Sequence, residues 1–101
     1  MQTSIYLTEK LRLVTTNIFK HWCTGCNTSH DIDIFKESHR CWDFNGSIDY
    51  PTFRPSMKVY SGDQIICHYN LVEGVIHYLG DSLHEMSGKS IALANLPEHS
   101  F

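Results

Sequence analysis

The chain has 101 residues, 42% hydrophobic and 19% charged, with a formal net charge of −3. That length fits a single domain over residues 1–101, and the composition excludes a disordered chain. The mildly acidic balance argues against general nucleic-acid binding, which calls for a basic surface.

The first stretch, "MQTSIYLTEKLRLV", alternates polar and apolar residues and lacks the layout of a signal peptide. No apolar run reaches membrane-spanning length, so a soluble, cytoplasmic protein without a membrane partner is expected. Thiols stay reduced in that compartment. The four cysteines therefore read as ligands or core residues rather than as two disulfides.

In chain order, "SIYL" and "LRLV" are short strand candidates, and "NIFKHWC" is a strand entering a cysteine turn. The stretch "SHDIDIF" alternates, placing His30, Ile32 and Ile34 on one face and Asp31, Asp33 and Phe35 on the other. In "CWDFNGSIDY", Asn45-Gly46 predicts a two-residue type I′ hairpin. "PTFRPS" reads as an extended connector because of its prolines. "MKVY" is a short strand. "QIICHYNLVEGVIHYLG" predicts a long hairpin turning at Glu73-Gly74, with Val72 opposite Val75, Asn70 opposite His77, and His68 opposite Leu79. Cys67, Tyr69, Leu71, Ile76 and Tyr78 then share the other face. "SLHE" matches a capping box and predicts one helical turn, and "SIALANL" a last strand. The expected fold class is an all-β or β-rich small domain. Its antiparallel hairpins are stapled by one zinc site, with at most one short helical turn.

The zinc expectation starts from Cys23 and Cys26, spaced C-x₂-C around Gly25. A tight turn at this spacing aims two sulfurs at one point. A redox pair would need a helix after the first cysteine, whereas "NTSHDIDIF" reads as strand. Two further ligands are required. Cys67 and His68 are neighbours on a strand and point to opposite faces, so only one serves the same metal. The end of the second hairpin strand lies near the start of the first, which brings His84 back toward Cys67. Cys23, Cys26, Cys67 and His84 are the expected metal ligands. The local set Cys23, Cys26, His30 and Cys41 is the alternative. A Cys67–His68 nucleophile pair is disfavoured for the same reason of opposite faces.

Four stretches, "CTGCNTSH", "CWDFNGSIDYPTFRPSM", "CHYNLVEGVIHYLGDSLH" and "SGKSIALANLP", resemble a family of short, uncharacterised phage and bacterial proteins. Members of that family carry a C-P-G-C-x₃-H start, a W-x-[FW]-[ND]-G and P-T-x-x-P-S middle, and a C-H…[DE]-G…D-x-x-H end. The resemblance covers about residues 18 to 97. It implies a zinc-binding protein of phage or prophage origin. It also implies that Cys23, Cys26, His30, Trp42, Pro51, Thr52, Pro55, Ser56, Cys67, His68, Asp81 and His84 act together. The chain has Thr24 where the family has Pro, Ser82 where it often has a second Cys, and an extra Cys41.

The function expected from these features is a phage or prophage accessory protein acting as a protein-binding module on a host or phage protein. Its Zn²⁺ is structural. The alternative is a metal-dependent enzyme of the hydrolase class using the zinc with His30 and Asp81. His68 is a further catalytic candidate. That alternative draws on a polar set of His30, Thr52, Ser56, His68 and Asp81, larger than one structural zinc requires. Asp81 could orient a histidine through its second nitrogen or act as a base. The deaminase and H-E-x-x-H zinc-protease patterns are both missing.

Overall fold

The computed structural model describes residues 5–37 and 41–97. The described residues form nine strands: β1 (Ile5–Tyr6), β2 (Arg12–Thr15), β3 (Ile18–Cys23), β4 (Thr28–Asp33), β5 (Asp43–Phe44), β6 (Phe53–Ser61), β7 (Gln64–Val72), β8 (Val75–Tyr78) and β9 (Ser90–Ala92). They pair antiparallel throughout, in a four-stranded sheet β1-β2-β3-β4 and a five-stranded sheet β5-β6-β7-β8-β9. The all-β expectation is met. Among the described residues no helix is long and apolar enough to cross a membrane.

Strand alternation builds the core. On β3 every second residue is buried, which turns Phe19, His21 and Cys23 inward. On β7 the same period buries Cys67, Tyr69 and Leu71, and β8 adds Ile76 and Tyr78. The sheets meet through aromatic rings. Phe19 lies 5.6 Å from Phe53 and 4.8 Å from Phe44, and Phe44 stacks on Phe53. His21 Nε2 and the Tyr69 hydroxyl are 2.6 Å apart across the same interface. Burial pulls the His21 pKa down to about 3, helped by the neighbouring His30, so its ring is neutral inside the core.

The β7–β8 hairpin has the expected register, with Val72 opposite Val75 and Asn70 opposite His77. Glu73 and Gly74 both take positive φ, 48° and 79°, as a type I′ turn demands. The Leu79 amide continues the ladder by donating to the His68 carbonyl at 2.8 Å.

Three local expectations are corrected. Asn45-Gly46 does not turn a two-residue hairpin. Only Gly46 has positive φ, and β5 pairs with β6 instead, Phe44 opposite Phe53. The Asn45 side chain explains this: its Oδ1 accepts from the Ser47 and Thr52 amides, and its Nδ2 donates to the Tyr50 carbonyl. A side chain that satisfies a wide loop outcompetes the tight turn.

"PTFRPS" is not merely a connector, because its last four residues, Phe53 to Ser56, belong to β6 between β5 and β7. Pro55 has no N–H to give, and the ladder breaks where it stands: Phe53 faces Leu71 and Met57 faces Tyr69, four residues of β6 against two of β7. The helical turn at "SLHE" is also absent. Residues 79–83 fold back on β7, and the Ser82 hydroxyl bonds His68 instead of capping a helix.

The core role of β7 gives a direct test. Leu71 is fully buried, so Leu71→Ala should cost about 2–5 kcal/mol of stability in urea denaturation. Tyr50→Ala on the exposed loop should change it by less than about 0.5 kcal/mol.

Candidate metal centre and an adjoining Ser-His-Asp array

The turn between β3 and β4 carries Cys23 and Cys26. Asn27 ends it in the left-handed region at φ 57°, and its amide donates to the Cys23 carbonyl at 2.9 Å. β7 supplies Cys67 from its inner face. Residues 79–84 return along β7, the Leu83 amide donating to the Ile66 carbonyl at 3.0 Å, and deliver His84. The ligand atoms of Cys23, Cys26, Cys67 and His84 lie within 4.8 Å of one another and could hold a metal ion.

The donor set fits zinc. Three thiols and one imidazole make a four-donor set of the type found in closed zinc sites. The Cys23 and Cys67 sulfurs are 3.8 Å apart, and His84 Nε2 is 3.1 Å from the Cys67 sulfur. Two sulfurs on a tetrahedral zinc, each at about 2.3 Å, would be separated by about 3.8 Å. Around the cluster, the Cys26 amide points at the Cys23 sulfur at 3.4 Å. The Tyr78 hydroxyl lies 3.2 Å from that sulfur while accepting from the Gly25 amide at 3.0 Å.

Electrostatics point the same way. The Cys67 thiol hydrogen-bonds to Cys23 and, with His30 and Tyr78, holds the Cys23 thiol down at about 3 against the cost of burial. Cys26 is pushed up to about 11 by burial and by the charge on Cys23. The Cys67 thiol is raised far above its ordinary value, first by its bond to Cys23 and then by burial. Three thiols this close could all give up their protons only to a cation held between them.

Gly25 is needed for close approach, because a Cβ there would come within 2.2–2.5 Å of three atoms of the His84 ring. Of the alternative local set, neither His30 nor Cys41 enters the cluster. His30 stacks on Tyr69 at 6.1 Å between ring centroids, and Cys41 is half-buried and free.

The opposite face of β7 holds a second arrangement. His68 Nε2 is 2.9 Å from Ser56 Oγ. Its Nδ1 is 3.0 and 3.1 Å from the two Asp81 carboxylate oxygens. The imidazole is largely buried and the carboxylate is half-exposed, at 14% and 51% side-chain exposure. Ser56 sits in the irregular stretch of β6, on the strand next to His68. Asp81 comes from the same returning turn as His84. Buried Ser82 pins the two together: its Oγ accepts from the His68 amide and donates to the His68 carbonyl, both at 3.0 Å. A hydroxyl, an imidazole and a carboxylate in this order are the parts of a nucleophile, its base and the group that orients the base.

The structure thus separates the expected catalytic candidates. Asp81 pairs with His68 and not with His30, and neither Asp81 nor His68 offers an atom to the metal cluster. In the sequence Ser56 stands out only as a member of the set implied by the resemblance and as a surplus polar residue, with no role of its own. No G-x-S-x-G pattern marks it, and the signal that could have found it is the co-occurrence of P-S, C-H and D-x-x-H in one set.

A family model described as "Bacterial ubiquitination-like system serine protease (BubE)" matches residues 2–79. The match spans most of the chain, which belongs to that family. It includes Ser56 and His68 and stops just short of Asp81. Comparisons with curated proteins and with solved structures gave no match.

If the four-donor cluster is the metal centre, Gly25→Ala should lose metal, read by elemental analysis, because the methyl displaces His84. Cys67→Ser and His84→Ala should lose it too, whereas His68→Ala should keep about one equivalent. Metal retained by the Cys67 and His84 variants would rule the cluster out.

Proposed function

We propose that this member of the bacterial ubiquitination-like system serine protease family is a peptide hydrolase with Ser56 as nucleophile, His68 as general base and Asp81 as the residue that orients the base. The observation that carries the reading is the pair of contacts made by one imidazole, Ser56 Oγ on Nε2 and Asp81 on Nδ1. Asp81 accepts from Nδ1–H and so fixes the tautomer that leaves Nε2 free to accept.

The reaction follows from that geometry. Ser56 Oγ attacks the carbonyl carbon of the scissile peptide bond while its proton passes to His68 Nε2. The imidazolium, held by Asp81, returns that proton to the departing amine as the C–N bond breaks. An acyl ester on Ser56 remains. Water then attacks the ester carbon and gives a proton to Nε2. The ester C–O bond breaks, the carboxylic acid product leaves, and the proton returns to Ser56.

In this reading the zinc is structural. Cys23, Cys26, Cys67 and His84 would fill all four positions of a tetrahedral ion and leave none for water. Zinc with His30 and Asp81 as an activated-water site is the weaker version of hydrolysis, because Asp81 is already engaged with His68.

The protein-binding reading, a phage or prophage accessory chain acting on a host or phage protein, draws support only from exposed side chains such as Tyr50 and Leu83. Of the aromatic side chains that could anchor such an interface, Tyr50 and Tyr60 are exposed while Phe53, Tyr69 and Tyr78 are buried. It gives no reason for the Ser56–His68–Asp81 array. A cytoplasmic location suits the reduced thiols that the zinc site would need.

A fluorophosphonate probe tests the assignment. It should label Ser56 in the wild type. Ser56→Ala should abolish labelling, and His68→Ala should slow it by about 10³-fold or more. Asp81→Asn should also slow it severely through loss of the correct tautomer. All three variants should retain metal. Undiminished labelling in Ser56→Ala would exclude Ser56 as nucleophile.

Chelation supplies a second test. Stripping the metal with a strong chelator should lower the melting temperature sharply and abolish labelling together with the fold. A chelated protein that keeps its fold and its labelling would exclude a structural metal.

A further inference from the structure

β5 covers β6 only at Phe53 and Arg54. From Ser56 to Ser61, among the described residues, β6 pairs with β7 alone. An uncovered strand edge therefore begins at Ser56. Trp42 lies on the β5 side and donates its indole N–H to the Ser56 carbonyl at 3.4 Å, which identifies the peptide groups that face outward. In an antiparallel strand the N–H and C=O of one residue point the same way and reverse at the next. Ser56 and Lys58 thus present their peptide groups to the open edge, while Met57 and Val59 turn theirs toward β7.

A cavity of about 290 Å³ follows the same edge. Met57, Val59 and Tyr60 border it along β6, Trp42 borders it near Ser56, and Tyr69 and His30 contribute from β7 and the other sheet. Asp31 and Lys58 also border it, so its wall is half polar, and an apolar side chain would rest on the Trp42, Met57, Val59, Tyr60 and Tyr69 part. Apart from the Ser56 carbonyl, which Trp42 already occupies, the groove lies beside backbone groups that pair with no strand, the arrangement in which an added strand binds: main-chain bonds supply affinity, and the pocket selects alternate side chains.

We propose that an extended peptide substrate adds to β6 at this edge as an antiparallel strand. The residues before the scissile bond run along Met57–Tyr60, with one apolar side chain in the groove and the reacting carbonyl at Ser56. The inference rests on the reading of Ser56 as nucleophile. The direction follows the sheet, in which every neighbour of β6, including β5 on the same edge, runs antiparallel. Continuity with the nucleophile selects the occupant. The strand that carries Ser56 is also the strand that would hold the substrate, so pairing alone delivers the carbonyl to Oγ.

The test uses the full-length, metal-loaded protein and acetyl-Ala-Ala-Phe diphenyl phosphonate. Ser56 Oγ would bond to phosphorus with loss of phenol, and mass spectrometry of the Ser56 peptide reads the rate. The peptide phosphonate should react at least about tenfold faster than the same phosphonate lacking the two alanines. N-methylating the backbone amides one at a time should slow the reaction about tenfold at one position and leave the adjacent one within about twofold. Fluorophosphonate labelling should not depend on the peptide.

Equal tolerance of the methyl group at every amide, or no gain from the alanines, would overturn strand addition while fluorophosphonate labelling left the triad standing. An unlabelled Ser56 would remove both. A solution dimer with β6 amides protected from hydrogen exchange would assign the edge to a second copy of the chain and overturn the proposal.

Discussion

The alternation of side chains along β7 is the constraint on which both sites depend. Cys67 and His68 share one peptide unit, and the strand's period of two sends them to opposite faces. Cys67 turns into the core and meets Cys23 and His84. His68 turns out and meets Ser56 and Asp81. The returning segment repeats the division, since Asp81 reaches the outer face and His84 the inner cluster. The two ladders of contacts run side by side, joined through Ser82 and the Leu79 and Leu83 amides. A metal in the inner cluster would anchor the turn that carries Asp81, and the Ser56–His68–Asp81 array would inherit its rigidity.

This division suits a small chain. A domain of this size buries too little surface to hold a long unstructured return by apolar contact alone. Residues 79–88 contain no regular element, and three of the side chains that fix them are polar: Asp81, Ser82 and His84. A hydroxyl bonded to both backbone groups of His68 and an imidazole set over Gly25 replace the packing a helix would have provided. The same economy appears at the Asn45 loop, where one side chain amide closes what a hairpin would have closed.

What could be read from the sequence follows the range of the interactions involved. The β7–β8 register was legible because Glu73-Gly74 fixes a turn and the apolar residues fix a face, both within a few residues. The four residues of the metal cluster were legible because a C-x₂-C turn and one hairpin suffice to bring them together. Asn45-Gly46 misled because the competing bonds of Asn45 reach to Thr52. β6 is hard to recognise in the sequence because its prolines mask a strand whose pairing resumes past them. Ser56 went unassigned for a related reason. Its partners come from two other segments, and no local spacing records that they converge.

The surplus of β6 over β7 between Phe53 and Met57 has a consequence for how this stretch tolerates change in length. Strand faces depend on parity. Met57 is buried and Ser56 faces His68 because the surplus is an even number, so the residues on either side of the irregularity keep a common inner face. A chain one residue shorter or longer there would set the two halves of β6 out of phase, turning either Phe53 or Met57 outward. Gain or loss of two residues preserves the phase. A change of one residue there would need a further bulge to restore the phase, as the single-residue surplus of β7 between Cys67 and Ile65 does farther along the pair, while the identity of Arg54, which is exposed, stays comparatively free.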